Sequence, residues 1–115
     1  MPDYMEEALA LARKGFGLAS PNPMVGAVIV RDCASVGRGW NRVTSTNDPT
    51  AHAEIEPIRD ACRAVGTFAL AGCEIYSSCE PCPMCFAAIY WARLERVYYA
   101  ADGHDARAVR PRNAR

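Results

Sequence analysis

Three cysteines and one histidine supply the side chains in this sequence that are best suited to hold a metal ion. Cys79, Cys82 and Cys85 follow one another at intervals of three residues in the segment SSCEPCPMC. Cys82 and Cys85 fall at the start of a predicted helix, where this spacing places both thiols on one face. Because a helix N-terminus favours thiolates over thiols, the pair is well suited to form half of a zinc site.

His52 and Glu54, in the segment HAE, supply the other half of the expected chemistry. One zinc ion per chain, held by His52, Cys82 and Cys85, would keep a fourth position open for water, as catalytic zinc sites do. Zinc lowers the pKa of such a water to about 7, and Glu54 is then a carboxylate placed to transfer protons. A fourth ligand at Cys79 would close the site, so we expect Cys79 to be a packed thiol nearby.

The segments around these residues predict an α/β fold. Apolar residues recur at helical spacing from Asp3 to Phe16, from Ile55 to Gly66 and from Cys82 to Arg93. The predicted strands are Met24 to Val30, Ser35 to Trp40, Cys73 to Ser78 and Arg96 to Ala100. We expect residues 41–50 to form a polar loop, with Asp48 or Thr50 capping the helix that follows.

Topology rules then bring the candidate residues together. Right-handed crossovers would make the later strands parallel in one sheet, with helices on its faces. Helices that follow adjacent parallel strands point their N-termini to the same edge of the sheet, where α/β sheets bind ligands. His52, at the start of the second helix, can therefore approach Cys82 and Cys85. We expect one domain over residues 1–101 and a short basic tail over residues 102–115.

Composition narrows the class of protein. The 115 residues suit one domain of common size, and 13 basic residues balance 13 acidic ones, which argues against a broad nucleic-acid footprint. The acidic start MPDYMEEALA lacks the apolar core of a signal peptide, and no apolar run approaches the ~20 residues of a membrane span. We therefore expect a cytoplasmic protein without a membrane partner, whose cysteines serve more often as ligands than in disulfides.

Two segments resemble a known superfamily. NDPTAHAEI (Asn47 to Ile55) and CEPCPMC (Cys79 to Cys85) are similar to the cytidine-deaminase-like zinc deaminases, whose signature is H-x-E followed by P-C-x-x-C. The longer segments GWNRVTSTNDPTAHAEIEPIRDAC and YSSCEPCPMCFAAIYWARLERVYYA look most like bacterial guanine deaminases and related nucleoside deaminases. The resemblance covers Met5 to about Ala101. It implies a three-layer α/β/α fold with a mixed sheet of about four strands, without the family's C-terminal elements.

The resemblance also implies a role for each candidate residue. The zinc ligands that it implies are His52, Cys82 and Cys85. Glu54 would take a proton from the attacking water and deliver it to the ring and to the leaving amine. Asn41 and the backbone amide of Ala53 would bind the base. The implied reaction is hydrolytic deamination of a purine base, with guanine converted to xanthine and ammonia.

Three differences from the sequences of guanine deaminases leave the identity of the substrate undetermined. Val25 stands where guanine deaminases usually carry phenylalanine, and a valine at this place is also found in tRNA adenosine deaminases. The segment PNPMVGAVIV resembles riboflavin-pathway deaminases. Residues 110–113 replace a segment whose aspartate helps to bind guanine, and the family continues beyond the point where this sequence stops. The alternatives are a tRNA adenosine-to-inosine deaminase, a riboflavin-pathway deaminase, and an inactive truncated domain. The family also implies a homodimer.

Overall fold

Five strands and four helices make up the part of the chain that the computed structural model describes, which is residues 3–14, 24–100 and 106–109. In chain order they are α1 (Tyr4–Arg13), β1 (Gly26–Arg31), β2 (Ala34–Trp40), α2 (Val43–Thr46), α3 (Ile55–Val65), β3 (Glu74–Ser77), α4 (Pro83–Trp91), β4 (Arg96–Ala100) and β5 (Ala106–Val109). Among these described helices, none has both the length and the apolar character needed to cross a bilayer.

The strands form one mixed sheet in the order β2-β1-β3-β4-β5. β1 runs antiparallel to both of its neighbours, so β2 and β3 point in the same direction with β1 between them. β3 and β4 are parallel, as expected for strands joined through a helix, and β4 is antiparallel to β5. The predicted mixed sheet is confirmed. The strands that precede α3 and α4 are not adjacent as expected, but they still end at the same edge of the sheet.

Helices cover both faces of the sheet, which explains the continuous apolar run in β1. Successive side chains of a strand point to opposite faces. Ile29 packs in one core with Ala61 of α3 and Ile89 of α4. Val28 belongs to a second core, on the other face, with Leu11 of α1. The three-layer arrangement of helix, sheet and helix is therefore confirmed.

α3 lies against β2 at a distance that only glycine permits. A Cβ atom at Gly37 would overlap the backbone oxygen of Pro57, and one at Gly39 would lie 2.6 Å from the Cβ atom of Glu56. Real Cβ atoms do not approach other atoms so closely, so neither glycine can be replaced without moving the helix. The close contact places the first turn of α3, and with it the HAE segment immediately before the helix.

The chain between β2 and α3 differs from the sequence-based expectation in two ways. It contains the short helix α2, which ends at Asn47 in the left-handed conformation, with φ of 55°. The expected cap by Asp48 or Thr50 is wrong, because Glu54 occupies the N-cap position of α3. Asp48 instead accepts hydrogen bonds from the amide and the hydroxyl of Thr50, at 2.8 and 2.7 Å. Aspartate side chains commonly bond the amide two residues further on.

β5 lies within the stretch that the sequence analysis assigns to a basic tail. It pairs with β4, with Val109 opposite Val97, so the sheet has one strand more than the predicted four. The outer edge of β4 offers unpaired amide and carbonyl groups to any extended segment that reaches it. The periodicity of residues 101–115 is weak, so it does not predict this strand of 4 residues. The remainder of the predicted tail, residues 102–105 and 110–115, lies outside the described residues, as does Phe16 of the predicted first helix.

Candidate metal centre and cleft

His52 lies in the turn immediately before α3, rather than on the helix as expected. Its carbonyl oxygen accepts hydrogen bonds from the amides of Ile55 and Glu56, each at 3.0 Å. On the other side, the amide of Arg42 donates to the carbonyl oxygen of Ala51 at 2.9 Å. These backbone bonds connect the segment to both the end of β2 and the start of α3, and so restrict the position of the imidazole.

Cys82 and Cys85 lie at the N-terminus of α4. Cys82 is the N-cap residue, with an extended backbone, and Pro83 occupies the first helical position, where no amide hydrogen is needed. The amide of Phe86 donates to the carbonyl oxygen of Cys82 at 2.9 Å and closes the first turn. Cys85 lies in that turn and is buried, whereas Cys82 is half-buried. The predicted common face is therefore present.

The three donor atoms form a triangle of the size that a zinc ion requires. Nδ1 of His52 lies 3.5 Å from the Sγ atoms of both Cys82 and Cys85, and the two sulfurs are 3.5 Å apart. Zn–S bonds of about 2.3 Å and Zn–N bonds of about 2.0 Å, at tetrahedral angles, place donor atoms roughly 3.5–3.8 Å apart. The sulfurs are much farther apart than the ~2.05 Å of a disulfide bond. The residues present therefore fit a zinc ion.

Cys79 does not belong to this triangle. In the part of the chain that the structure describes, the ligand atoms that lie within 4.8 Å of one another are those of His52, Cys82 and Cys85. Cys79 follows β3, is exposed rather than packed as expected, and lines an open cleft beside the metal centre. A metal held by the three clustered residues would keep a position free of protein ligands.

Glu54 is buried next to the metal centre, with 5% of its surface exposed. Its Oε2 atom accepts a hydrogen bond from the Ser77 hydroxyl at 3.1 Å, and its Oε1 atom lies 3.5 Å from Sγ of Cys85. Burial raises the pKa of the Glu54 carboxyl above its ordinary value, and the hydrogen bonds oppose this effect. Burial, and then the nearby charge of Glu54, raise the pKa of the Cys85 thiol. A bound cation would favour the ionised form of both groups.

The cleft has a volume of about 230 Å³. It is lined by Val25, Asn41, His52, Ala53, Glu54, Cys79, Glu80 and Cys82. Asn41 follows β2, and its Oδ1 atom accepts a hydrogen bond from the amide of Val43 at 3.0 Å, which restricts the rotation of its side chain. The structure thus brings every predicted site residue to the cleft except Cys85, which is fully buried beside it.

Ser77 is a residue of the site that the sequence analysis missed. It is the last residue of β3, is fully buried, and bonds Glu54 across a separation of 23 residues in the chain. A serine within a buried strand carries no local signal of such a contact. One signal was available: polar residues at the end of a strand lie at the edge of the sheet where ligands are expected.

Arginines of β2 and α3, and the arginine immediately before α2, have carboxylate neighbours. Arg38 lies 2.7 Å from Glu7, and Arg59 lies 3.1 Å from Glu56. Arg42, which directly follows Asn41 of the cleft, lies 4.0 Å from the same Glu56 side chain. Such exposed pairs contribute little to stability, but they reduce the local excess of positive charge. The surface beside the cleft is therefore electrically mixed rather than basic.

Comparison with known proteins supports the resemblance inferred from the sequence. Residues 2–101 match the family model described as the cytidine and deoxycytidylate deaminase zinc-binding region. The chain is 50% identical over 103 residues to a guanine deaminase of Bacillus subtilis, covering 90% of this chain and 65% of that protein. It is 46% identical over 106 residues to a tRNA-specific adenosine deaminase of Agrobacterium fabrum, covering 92% of this chain and 68% of that protein.

The fold agrees with these sequence relationships. An X-ray structure of the guanine deaminase from Bacillus subtilis superposes with a TM-score of 0.80, covering 85% of this chain and 62% of that chain. The protein therefore belongs to the cytidine and deoxycytidylate deaminase family, and its matched segment is the zinc-binding region. His52, Cys82 and Cys85 form the site that can hold the zinc ion. The chain spans about 65% of the length of the Bacillus subtilis relative.

Proposed function

We propose that this protein catalyses the zinc-dependent hydrolytic deamination of a purine base, with guanine as the substrate. The observation that carries the proposal is the position of Glu54. Its carboxylate lies 3.5 Å from a sulfur of the three-ligand metal site and lines the same cleft as Asn41 and Ala53. One cleft therefore combines three features: a proton carrier, a metal site with a position free of protein ligands, and polar groups that can bind a base.

In the proposed reaction, water adds to the ring carbon that carries the amino group, and the bond from that carbon to the amino nitrogen then breaks. A zinc ion, when bound, supplies the positive charge that makes water nucleophilic near neutral pH. Glu54 accepts a proton from the attacking water and delivers it to the ring nitrogen. It then accepts the proton of the newly formed hydroxyl group and delivers it to the departing amine, which leaves as ammonia. One carboxylate can act first as the base and then as the acid, because it is held beside the reacting atoms.

Asn41 and Ala53 are the proposed contacts to the base. The bond from Val43 to Oδ1 restricts the Asn41 carboxamide, whose Nδ2 group then serves as a donor to a purine acceptor atom. Ala53 lines the same cleft, and its backbone amide is the second proposed donor. Two donors at restricted positions would orient the ring relative to Glu54, which is how positioning contributes to rate.

The charge around the cleft supports a small substrate. Glu80 adds a second carboxylate to the lining beside Glu54, and Arg42 has Glu56 as a neighbour. Carboxylates at the mouth of a cleft repel phosphate groups, whereas a neutral base carries no such charge. The 50% identity to a guanine deaminase supports guanine in particular.

A tRNA adenosine deaminase is the second candidate. The 46% identity to a tRNA-specific adenosine deaminase and the presence of Val25 in the cleft both favour it. In this alternative, phosphates would be contacted by Arg107, Arg110, Arg112 and Arg115. Arg107 belongs to β5, and the other three arginines lie outside the described residues. Salt dependence distinguishes the two candidates, because binding of tRNA through phosphates weakens steeply as salt rises and binding of a neutral base does not.

A homodimer is proposed as the working form of the protein. Phe68 and Trp91 are 72% and 66% exposed, and both line an apolar groove between α3 and α4. Large exposed aromatic side chains that share one surface commonly mark a protein interface. A second copy would cover the groove and remove this apolar area from water.

The test is a substrate panel in which released ammonia is measured with guanine, adenine, cytosine and tRNA. We expect ammonia from guanine, and xanthine as the second product. The Glu54→Gln variant is the control, because it retains the shape of the side chain but cannot carry the proton. Stoichiometric zinc without ammonia from any of these substrates would overturn the proposal and favour an inactive zinc-binding domain.

A further inference from the structure

We infer that Ser77 is a positioning residue, which holds the carboxylate of Glu54 in the orientation that proton transfer requires. The inference rests on the proposed function, in which Glu54 carries the proton. It adds a residue that lies outside the H-x-E and P-C-x-x-C segments and does not line the cleft.

The direction of the Ser77 hydroxyl is set by two neighbours. Its oxygen lies 3.1 Å from Oε2 of Glu54, and the backbone amide of Cys79 donates to the same oxygen at 3.4 Å. A serine hydroxyl has a single proton, so an oxygen that accepts from the amide uses its proton for the carboxylate. Ser77 is therefore the donor to Glu54.

The two carboxylate oxygens of Glu54 consequently have different surroundings. Oε2 is bonded to Ser77, which is fully buried, whereas Oε1 lies 3.5 Å from Sγ of Cys85, one of the metal ligands. Anchoring one oxygen prevents the carboxylate from rotating freely about its terminal bond. The other oxygen is thereby kept on the side of the metal centre, where the reacting water would lie.

Ser77 stands on a rigid part of the sheet. β3 is an inner strand, and within it Ser77 is opposite Ala27 of β1 and Tyr99 of β4. A hydroxyl on such a strand defines a position more closely than one on a loop. Glu54, in contrast, lies in a turn before a helix. The hydrogen bond from Ser77 on the sheet therefore restricts the position of the Glu54 carboxylate more than the turn itself does.

The adjacent Ser78 provides a matched control. It is also buried, but its hydroxyl oxygen accepts a hydrogen bond from the amide of Gly26 at 3.1 Å. Ser77→Ala and Ser78→Ala each remove one buried hydroxyl and its hydrogen bonds, and only the first of them removes a bond to Glu54. A loss of stability alone would affect both variants, whereas a loss of positioning would affect one.

The experiment compares Ser77→Ala, Ser77→Thr and Ser78→Ala by steady-state kinetics, zinc content and crystal structures. With the panel substrate that releases most ammonia, we expect Ser77→Ala to lower kcat by about 10- to 100-fold, with KM changed less than about twofold. Zinc content should stay the same. Ser77→Thr retains the hydroxyl and should keep kcat within about threefold of the wild type. Ser78→Ala should change kcat less than about twofold.

Three results would overturn the inference. The first is an equal loss of kcat in Ser77→Ala and Ser78→Ala. The second is a tenfold loss of kcat in Ser77→Thr. The third is a Glu54 carboxylate that keeps its wild-type orientation in crystals of Ser77→Ala. The crystallographic measurement needs no substrate, so it tests the positioning role even if no panel substrate is deaminated and the proposed function fails. If Ser77→Ala does not fold, the kcat of Ser77→Thr tests the positioning role.

Discussion

Nδ1 of His52 lies 3.5 Å from Sγ of Cys85, although 33 residues separate them in the chain. The contact exists because β2 and β3 run in the same direction, which sends the two following loops to one edge of the sheet. Among the described residues, neither local segment supplies all three clustered ligands, since one contributes His52 and the other contributes Cys82 and Cys85. Removing a ligand therefore tests both the chemistry and the topology of the site.

Replacing a ligand should release zinc, and replacing Cys79 should not. We expect Cys85→Ala to reduce bound zinc from about one ion per chain to below about 0.1, because two protein ligands hold zinc weakly. Metal content after dialysis against a weak chelator, measured by elemental analysis, provides the test. Cys79→Ala is the matched control, since its thiol lies outside the donor triangle. Zinc loss in Cys79→Ala would instead indicate a closed, structural site.

Glu54→Gln should separate metal binding from turnover. We expect zinc content to be unchanged and kcat to fall by about 10²- to 10⁴-fold, the usual contribution of a positioned acid or base. Unfolding experiments should show equal or greater stability, because an amide in this buried position avoids the cost of a buried charge. Turnover equal to that of the wild type would remove Glu54 from the mechanism.

Asp48 should affect the metal site indirectly, through the loop that carries His52. Its carboxylate is bonded by the amide and hydroxyl of Thr50, and the amide of His52 donates to the carbonyl oxygen of Thr50 at 2.8 Å. We expect Asp48→Ala to raise the zinc Kd by about threefold, less than the 10- to 100-fold typical of direct partners of ligands. A chelator competition at pH 7 measures this change. Asp60→Ala, which removes a comparable bond to the amide of Arg38, should leave the Kd unchanged.

The same aspartate should give a specific pH dependence. Hydrogen bonds from Thr50 hold the pKa of the Asp48 carboxyl below its ordinary value of 3.8. A lowered folded-state pKa contributes stability that is present above the ordinary value and is lost as pH falls through the folded-state value. The difference in stability between the wild type and Asp48→Ala should therefore shrink below about pH 4. A difference that grows on acidification would contradict this.

Trp91 should determine the oligomeric state. Placing a charge in the exposed apolar groove between α3 and α4 should prevent a second copy from covering it, so we expect Trp91→Glu to be monomeric. Light scattering coupled to gel filtration gives the mass directly. Met24→Glu serves as the control, because Met24 is also exposed and apolar but does not line this groove. A monomeric wild-type protein would show that the homodimer prediction is wrong.

Local elements were predictable where their pattern is strong. The fourth strand was expected at Arg96 to Ala100, and β4 has those bounds. The cap of α3 was not predictable in the same way, because Asp48 and Thr50 are both good capping residues and the folded chain uses them to bond each other. β5 was missed for a different reason, since its pairing depends on the free edge of β4 rather than on its own residues.

The residue types in the sequence define the chemistry that is available: one imidazole, a pair of thiols at helical spacing, and a carboxylate two residues from the imidazole. The arrangement of these groups follows from the folded chain, which brings the imidazole and the two thiols to 3.5 Å from one another, leaves Cys79 exposed rather than packed, and places Ser77 within hydrogen-bond distance of Glu54. The two kinds of information differ in the separation along the chain at which they act. Residue types and local periodicity depend on neighbours in the chain, whereas these contacts depend on the directions in which distant strands enter the sheet.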